Sequence, residues 1–281
     1  MVLILESFWV ILVVRGRSFL TLFLFSFFSY LIVHGSLFAT DYVVGKKSCN
    51  YETRFRIIHG YHSYLPKDKI SPLLNFLLET NPQEIASKEE LVALRNDVAD
   101  KLLNQRQIDL ELAPAFFKIL KDNTYWYVWR NYILQKLDHL HRVDTRSQVR
   151  EQIISELEAA AISHEITISG TALLTLDRLV NEGIYTKDNF LKLAEHTLAE
   201  EQIKWQDKIT ILHLSAKYGS SKAIKSARLY LQSSNPTLLK VASIAVIGNY
   251  GKATDQQLLT NFRDHPDYRL RRASKVALKK L

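Results

Sequence analysis

The C-terminal end of the chain contains a sequence repeat. Residues 239–250 align with residues 270–281 at an offset of 31 residues, and Leu, Ala and Ser are identical at three positions. A turn sequence precedes each copy, at Asn235-Pro236 and at His265-Pro266. A period of about 20 to 50 residues is typical of solenoids and other repeat arrays. The repeat therefore restricts this part of the chain to stacked units of similar structure.

The two copies differ in their hydrophobic pattern, which predicts two helices in different surroundings. In residues 236–250, apolar side chains cover nearly every helical face, as in a helix buried between neighbours. In residues 270–281 they form one stripe, and arginines and lysines fill the other faces. Such a helix has one neighbour and one solvent-exposed side, as expected of the cap that ends a stack. Trp205–Tyr218 matches residues 236–250 at an offset of 32 residues and extends the stack toward the N-terminus.

The pattern Pro-x-x-x-Leu-Arg-Arg-Ala-Ser-x-x-Ala-Leu-x-x-Leu, from Pro266 to Leu281, resembles the first helix of a HEAT repeat. The nearest variety is the short bacterial type, also found in phycobilisome-lyase-like proteins. Tyr250-Gly251 and residues 255–262 resemble the loop and second helix, and the resemblance extends back to about residue 205. It implies a right-handed α-solenoid of stacked antiparallel helix pairs, in which the second helix of each pair lines the inner curve. It identifies a fold and not an activity.

The rest of the chain from Tyr51 onward also predicts helices, so the predicted fold class is all-α. No segment alternates as a strand does, and the glycines and prolines fall mostly between the helical segments. Ser87 and Glu90 have the spacing of a capping box at the start of a helix that ends near Arg106. Residues 122–124 are predicted to cap a helix over Tyr125–Leu140. No proline-rich or serine-rich linker interrupts residues 40–281, which we interpret as one HEAT-like domain.

Residues 1–39 have the composition of a secretory signal peptide. The basic segment Arg15–Arg17 precedes the apolar segment Ser18–Val33, and Leu37-Phe38-Ala39 provides a cleavage site before Thr40. The predicted location is therefore periplasmic or secreted. The alternative is an uncleaved N-terminal membrane anchor, although sixteen apolar residues are short for a span of about 20. The apolar segment before Arg15 fits no signal peptide, and we hypothesise that translation begins near Val13 or Val14.

The sequence contains no pattern that predicts catalysis or a cofactor. Cys49 is the only cysteine, which excludes an internal disulfide and a cysteine-based metal site. The histidine pairs at 59 and 62 and at 139 and 141 have no third ligand nearby. A nucleophile elbow, a phosphate-binding glycine loop and a dinucleotide fingerprint are all missing from the sequence. The predicted protein is non-enzymatic, with no catalytic, cofactor-binding or metal-binding residues.

Two groups of residues are candidates for binding a partner. The first lies on the predicted second helices Ser221–Leu231 and Thr254–Phe262, which would form a polar, partly basic inner surface. The second is the aromatic group at residues 125–132, in which Trp129 and Tyr132 share the predicted packed face. The candidate partner-binding residues are Lys222, Lys225, Arg228, Gln257, Asn261, Trp126 and Tyr127.

These features favour an exported helical-repeat scaffold that binds another protein through its concave surface. The formal net charge of +8 indicates an anionic partner surface. One alternative is a HEAT-like nucleic-acid-binding protein or DNA glycosylase, which the basic charge and the tryptophans allow and the signal peptide argues against. Another is a binder of glycan or envelope polymer through the aromatic group. A chromophore lyase is suggested only by the repeat resemblance.

We expect Thr40 or a near neighbour to be the first residue of the exported protein, because the cleavage pattern ends at Ala39. N-terminal sequencing of protein exported by its native host measures this directly. A mature chain that still carries Phe19–Val33 would indicate an anchor instead. A precursor with an intact peptide beginning at Met1 would exclude the later translation start.

Overall fold

The computed structural model describes residues 51–61, 65–79, 87–232 and 234–281. Within these ranges the regular structure consists of thirteen α-helices and one 3-10 helix, without a strand, which confirms the all-α prediction. None of these helices combines the length and apolar character needed to cross a membrane. The signal peptide, the translation start, Cys49 and His62 lie outside the described residues.

The chain divides into two compact units, one extending to Arg106 and the other covering Gln107–Leu281. The described helices of the first unit are α1 (Tyr51–Gly60), α2 (Lys67–Leu78) and α3 (Lys88–Leu103). Helix α3 packs against both α1 and α2. The predicted cap of α3 is confirmed, because Ser87 Oγ accepts a 3.1 Å hydrogen bond from the Glu90 backbone N–H.

The second unit contains ten α-helices in its described residues. Their bounds are α4 Leu112–Lys121, α5 Tyr127–Val143, α6 Ser147–Ala161, α7 Ile168–Asn181, α8 Lys187–Ala199, α9 Trp205–Lys217, α10 Ser221–Gln232, α11 Thr237–Tyr250, α12 Gln256–Thr260 and α13 Tyr268–Ala277. The 3-10 helix Ala253–Asp255 runs directly into α12.

The helices of the second unit pack in two rows. From α4 to α11 each helix contacts the next one in sequence, and α12 contacts α13. The odd-numbered helices α5, α7, α9, α11 and α13 also pack side by side along most of their length. The even-numbered helices α4, α6, α8 and α10 follow each other in the same order with much less contact. Each helix therefore buries its apolar face against helices that are close to it in sequence.

Two predicted helices have different bounds in the structure, for local reasons. Helix α5 begins at Tyr127. The Asp122 side chain accepts a hydrogen bond from the Thr124 N–H, and this closes a turn ahead of the helix. The prediction that residues 122–124 cap this helix was wrong. The segment predicted as one helix to Phe262 divides into the 3-10 helix and the short α12. The turns after Thr260 use bonds to the third preceding carbonyl, which is the 3-10 pattern.

Asp207 on α9 forms the N-terminal cap of α7. Its carboxylate accepts hydrogen bonds from the Gly170 N–H at 2.8 Å and from the Thr167 N–H at 2.9 Å, and it is only 2% exposed. These two N–H groups belong to the first turn of α7 and the residue before it, where a helix provides no partner of its own. A Cβ on residue 170 would lie 2.8 Å from the carboxylate, so glycine allows the approach. The bond ties adjacent odd-numbered helices together.

Polar side chains also connect the C-terminal ends of the odd-numbered helices. Asp177 on α7 accepts hydrogen bonds from the side chains of Lys217 at 2.8 Å and Tyr218 at 2.7 Å, which are 40 and 41 residues further along the chain. Lys280 donates to the Asn249 side chain at 2.6 Å, over a separation of 31 residues. The first two contacts therefore join α7 to the end of α9, and the last joins α11 to the residues that follow α13.

Replacing Ala242 by Asp should destabilise the protein by several kcal/mol, because the residue is 5% exposed and the carboxylate would be buried without a partner. Replacing the exposed Lys279 by Asp should change stability by no more than about 0.5 kcal/mol. Thermal unfolding of both variants, followed by circular dichroism, checks the difference. Equal shifts in Tm would contradict the burial of α11 between its neighbours.

Candidate functional site

The predicted basic surface on α10 is only partly available to a partner. Lys222 and Lys225 are exposed, as predicted, but Lys222 Nζ lies 2.9 Å from a carboxylate oxygen of Glu195 on α8. Lys225 forms no ion pair within the described residues. Lys225 is therefore the member of this group with an uncompensated charge.

Arg228, another predicted partner-binding residue, forms a two-point ion pair with Asp255. Its Nε donates to Oδ1 at 2.7 Å and an η nitrogen donates to Oδ2 at 2.9 Å. Asp255 is 5% exposed, and its Oδ2 also accepts from the Lys252 backbone N–H at 2.9 Å. The Arg228 hydrogen bonds are the main reason why the pKa of Asp255 lies below its ordinary value. In this structure the guanidinium fastens α10 to the segment that precedes α12.

Gln257 and Asn261 are exposed, Gln257 in α12 and Asn261 just after it. The Arg228 ion pair holds their segment next to α10, so the structure brings the candidates from the two predicted second helices to neighbouring elements. The aromatic candidates are elsewhere in the unit, at the start of α5, which packs with α4, α6 and α7. The seven candidates therefore do not form a single site.

The aromatic group at residues 125–132 is mostly packed into the unit. Trp129 is fully buried and Tyr125 is 3% exposed. Trp126 and Tyr127 are half-buried, with their rings edge to face at 5.9 Å. Tyr132, which was predicted on the packed face, is instead 37% exposed. Nearly all of the apolar surface in this group serves the core.

Sequence reasoning missed a groove between α11 and α13, which we call the C-terminal groove. It encloses about 340 Å³, and its lining is apolar at the bottom and basic at the edges. The two helices lie very close where Gly248 meets Ala277, since a Cβ on residue 248 would lie 2.5 Å from the Ala277 methyl carbon. The lining residues are Val241, Ala245, Tyr268, Arg269, Arg272, Ala273, Val276, Ala277 and Lys280.

The groove lies beside the most concentrated positive charge of the chain. Residues 268–281 contain no acidic residue and six basic ones: Arg269, Arg271, Arg272, Lys275, Lys279 and Lys280. Arg269 pairs with Asp267 at 3.0 Å. Arg272, Lys275 and Lys279 pair with no carboxylate of the described residues. The cluster was recognised in the sequence, where the solvated face of a cap helix was the favoured interpretation and phosphate contact the alternative.

The described part of the chain contains no group of three His, Cys, Asp or Glu residues that could hold a metal ion. Within the described residues, His59 lies 3.4 Å from a carboxylate oxygen of Asp97. The buried His141 and the half-buried His213 both have a lowered pKa, because burial disfavours the charged imidazolium. No family model matches the chain, and no curated protein is similar to it in sequence.

Replacing Arg228 by Gln should lower stability at pH 7 by about 1–3 kcal/mol, because it leaves the Asp255 carboxylate buried without its cation. The lowered pKa of Asp255 stabilises the folded protein at pH values above the ordinary carboxyl pKa of 3.8. This stabilisation is lost as the pH falls through the lower pKa that Asp255 has in the folded protein. The difference from the wild type should therefore shrink as pH falls below about 4.

Urea unfolding at several pH values measures this difference, with Lys225→Gln on the same helix as the control. The control should stay within about 0.5 kcal/mol of the wild type. An Arg228→Gln variant as stable as the control at pH 7 would show that the ion pair does not fasten α10.

Proposed function

We propose that this chain is an exported, non-enzymatic helical-repeat protein that binds another protein through the surface of a right-handed, HEAT-like solenoid. The observation that carries the proposal is the two-row packing, in which the described helices of the second unit have their main contacts with near neighbours along the chain. Helices stacked in this way share one continuous core and leave long exposed surfaces, which repeat proteins use for binding. The resemblance at Pro266–Leu281 supports the HEAT-like part of the proposal. The signal-like residues 1–39 support export.

The packing of the two rows bears on which surface is concave. In a curved stack the helices on the inner side lie closer together, and here the odd-numbered helices contact one another more extensively than the even-numbered ones do. This favours the odd row for the inner side. The HEAT resemblance implies the opposite assignment, with α10 and α12 on the inner curve. The two assignments offer a partner different residues: Lys222, Lys225, Gln257 and Asn261 in one, and the exposed Tyr132 and Leu174 in the other.

The proposal is tested by capturing the partner from the host compartment with the exported protein, and by comparing two variants. Lys222→Glu with Lys225→Glu changes the even row, and Leu174→Glu changes an exposed position of α7, where Leu174 is 42% exposed. We expect the wild type to retain one specific protein, and loss of that protein with one of the two variants would place its binding on the corresponding row. Circular dichroism of each variant confirms that the fold is intact.

Retention of the same protein by both variants would show that it does not bind at Lys222, Lys225 or Leu174, whereas capture of no specific protein would contradict the proposal.

The six basic side chains of residues 268–281 favour a second candidate function, nucleic-acid binding, because lysines and arginines neutralise phosphates. Nuclease treatment of the captured material separates the two functions. Retained material that disappears with nuclease, with no protein left bound, would replace the first proposal by the second.

A further inference from the structure

We infer that the C-terminal groove is a docking site for an acidic amphipathic helix of a partner protein. The inference rests on the proposed protein-binding function and adds a particular site and a particular kind of ligand. Three features of the groove support it: the apolar bottom, the cations along the edges and the position between two helices.

The bottom of the groove is apolar surface that the fold leaves uncovered. Val241 and Ala245 come from α11, and Ala273 and Val276 come from α13. Val276 is 51% exposed, and Tyr268 at the N-terminal end of α13 is 60% exposed. These apolar side chains adjoin one another along the two helices, so a ligand could contact them together.

The edges of the groove carry more positive than negative charge, since of the cations that line it Arg269 pairs with Asp267. Arg272 and Lys280 line the groove directly, and Lys275 and Lys279 lie on the adjoining face of the same segment. Arg272, Lys275 and Lys279 pair with no acid in the part of the chain that the structure describes. A ligand with carboxylates beside its apolar stripe would complement both features, and charge complementarity favours that ligand over others.

The position of the groove favours a helical ligand. It follows the line between two neighbouring helices, and alanines at 245 and 273 leave room for a third backbone to approach. An amphipathic helix uses such a groove by inserting side chains from positions i, i+3, i+4 and i+7. A volume of about 340 Å³ is at the low end for binding pockets, so one face of a single helix is the scale of ligand that fits.

The apolar bottom also argues against a nucleic acid as the ligand. Phosphates would satisfy the cations, but they would leave the valine and alanine surface without a partner. Bases bound to a single strand stack on aromatic side chains, and Tyr268 is the only aromatic residue in the lining. The observations therefore favour an amphipathic protein segment.

The test uses the protein purified from its host and three fluorescent probes. The first probe is a synthetic peptide of about 16 residues, with Leu at helical i, i+3, i+4 and i+7 spacing and Glu beside that stripe. The second has the same composition in a scrambled order that breaks the stripe. The third is single-stranded DNA of equal charge. Fluorescence anisotropy should show binding of the first peptide with a Kd of about 1–100 μM, and weakening as salt rises.

Two groove variants and two matched controls locate the binding. Val276→Asp and Arg272→Glu should each weaken binding of the first peptide by about tenfold or more. The first replaces an apolar contact by a carboxylate that also repels the acidic side chains of the peptide, and the second reverses a rim charge. Leu229→Asp changes a residue of similar exposure, 55%, on α10, and Arg263→Glu reverses an exposed charge outside the groove. Both controls should bind as the wild type does.

Each other result overturns the inference. Equal binding of the ordered and scrambled peptides, or tighter binding of the DNA, would show a general polyanion site. Unchanged affinity of Val276→Asp and Arg272→Glu would place the peptide elsewhere. If the host partner is still captured by these two variants, the groove is not its docking site, while the proposed protein-binding function stands.

Discussion

The burial of each helix against helices close to it in sequence is the constraint on which the second unit depends. Helices of 10 to 17 residues, such as α13 and α5, are marginal in water by themselves, because nucleating a helix costs more than its first hydrogen bonds return. The side-by-side packing of the odd-numbered helices provides the missing stabilisation. Stability in such an arrangement is approximately a sum of terms for individual repeats and for their contacts with neighbours.

Local signals were enough to predict most of the helices. The cap at Ser87 was predicted from the sequence, and its hydroxyl accepts a hydrogen bond from the backbone N–H three residues later. This contact is short-range, so the neighbouring residues contain all the information. The cap of α7 was not predictable in this way, because the acceptor is Asp207 on another helix. The predicted start of α5 at Tyr125 was wrong, because the Asp122 side chain accepts a hydrogen bond from the Thr124 N–H, two residues away, and does not cap the helix.

The candidate site depended more on contacts between distant residues, and the sequence predicted less of it. The exposure of Lys225 followed from helical periodicity alone. The role of Arg228 depends on an aspartate 27 residues later, which no periodicity reveals. The C-terminal groove exists because α11 and α13 meet at Gly248 and Ala277. The basic residues beside it were visible in the sequence, but their lack of acidic neighbours is a property of the fold.

The contact between Gly170 and Asp207 restricts the order in which this protein can change during evolution. While Asp207 caps α7, a methyl carbon at residue 170 would lie 2.8 Å from its carboxylate, so alanine there requires the carboxylate to shift and disfavours the cap. A lineage that first loses the aspartate is released from this restriction, and alanine then favours the helix over glycine by about 1 kcal/mol. After that second step the aspartate no longer fits. Substitution of Asp207 followed by substitution of Gly170 is therefore accessible in that order, and the two changes are difficult to reverse.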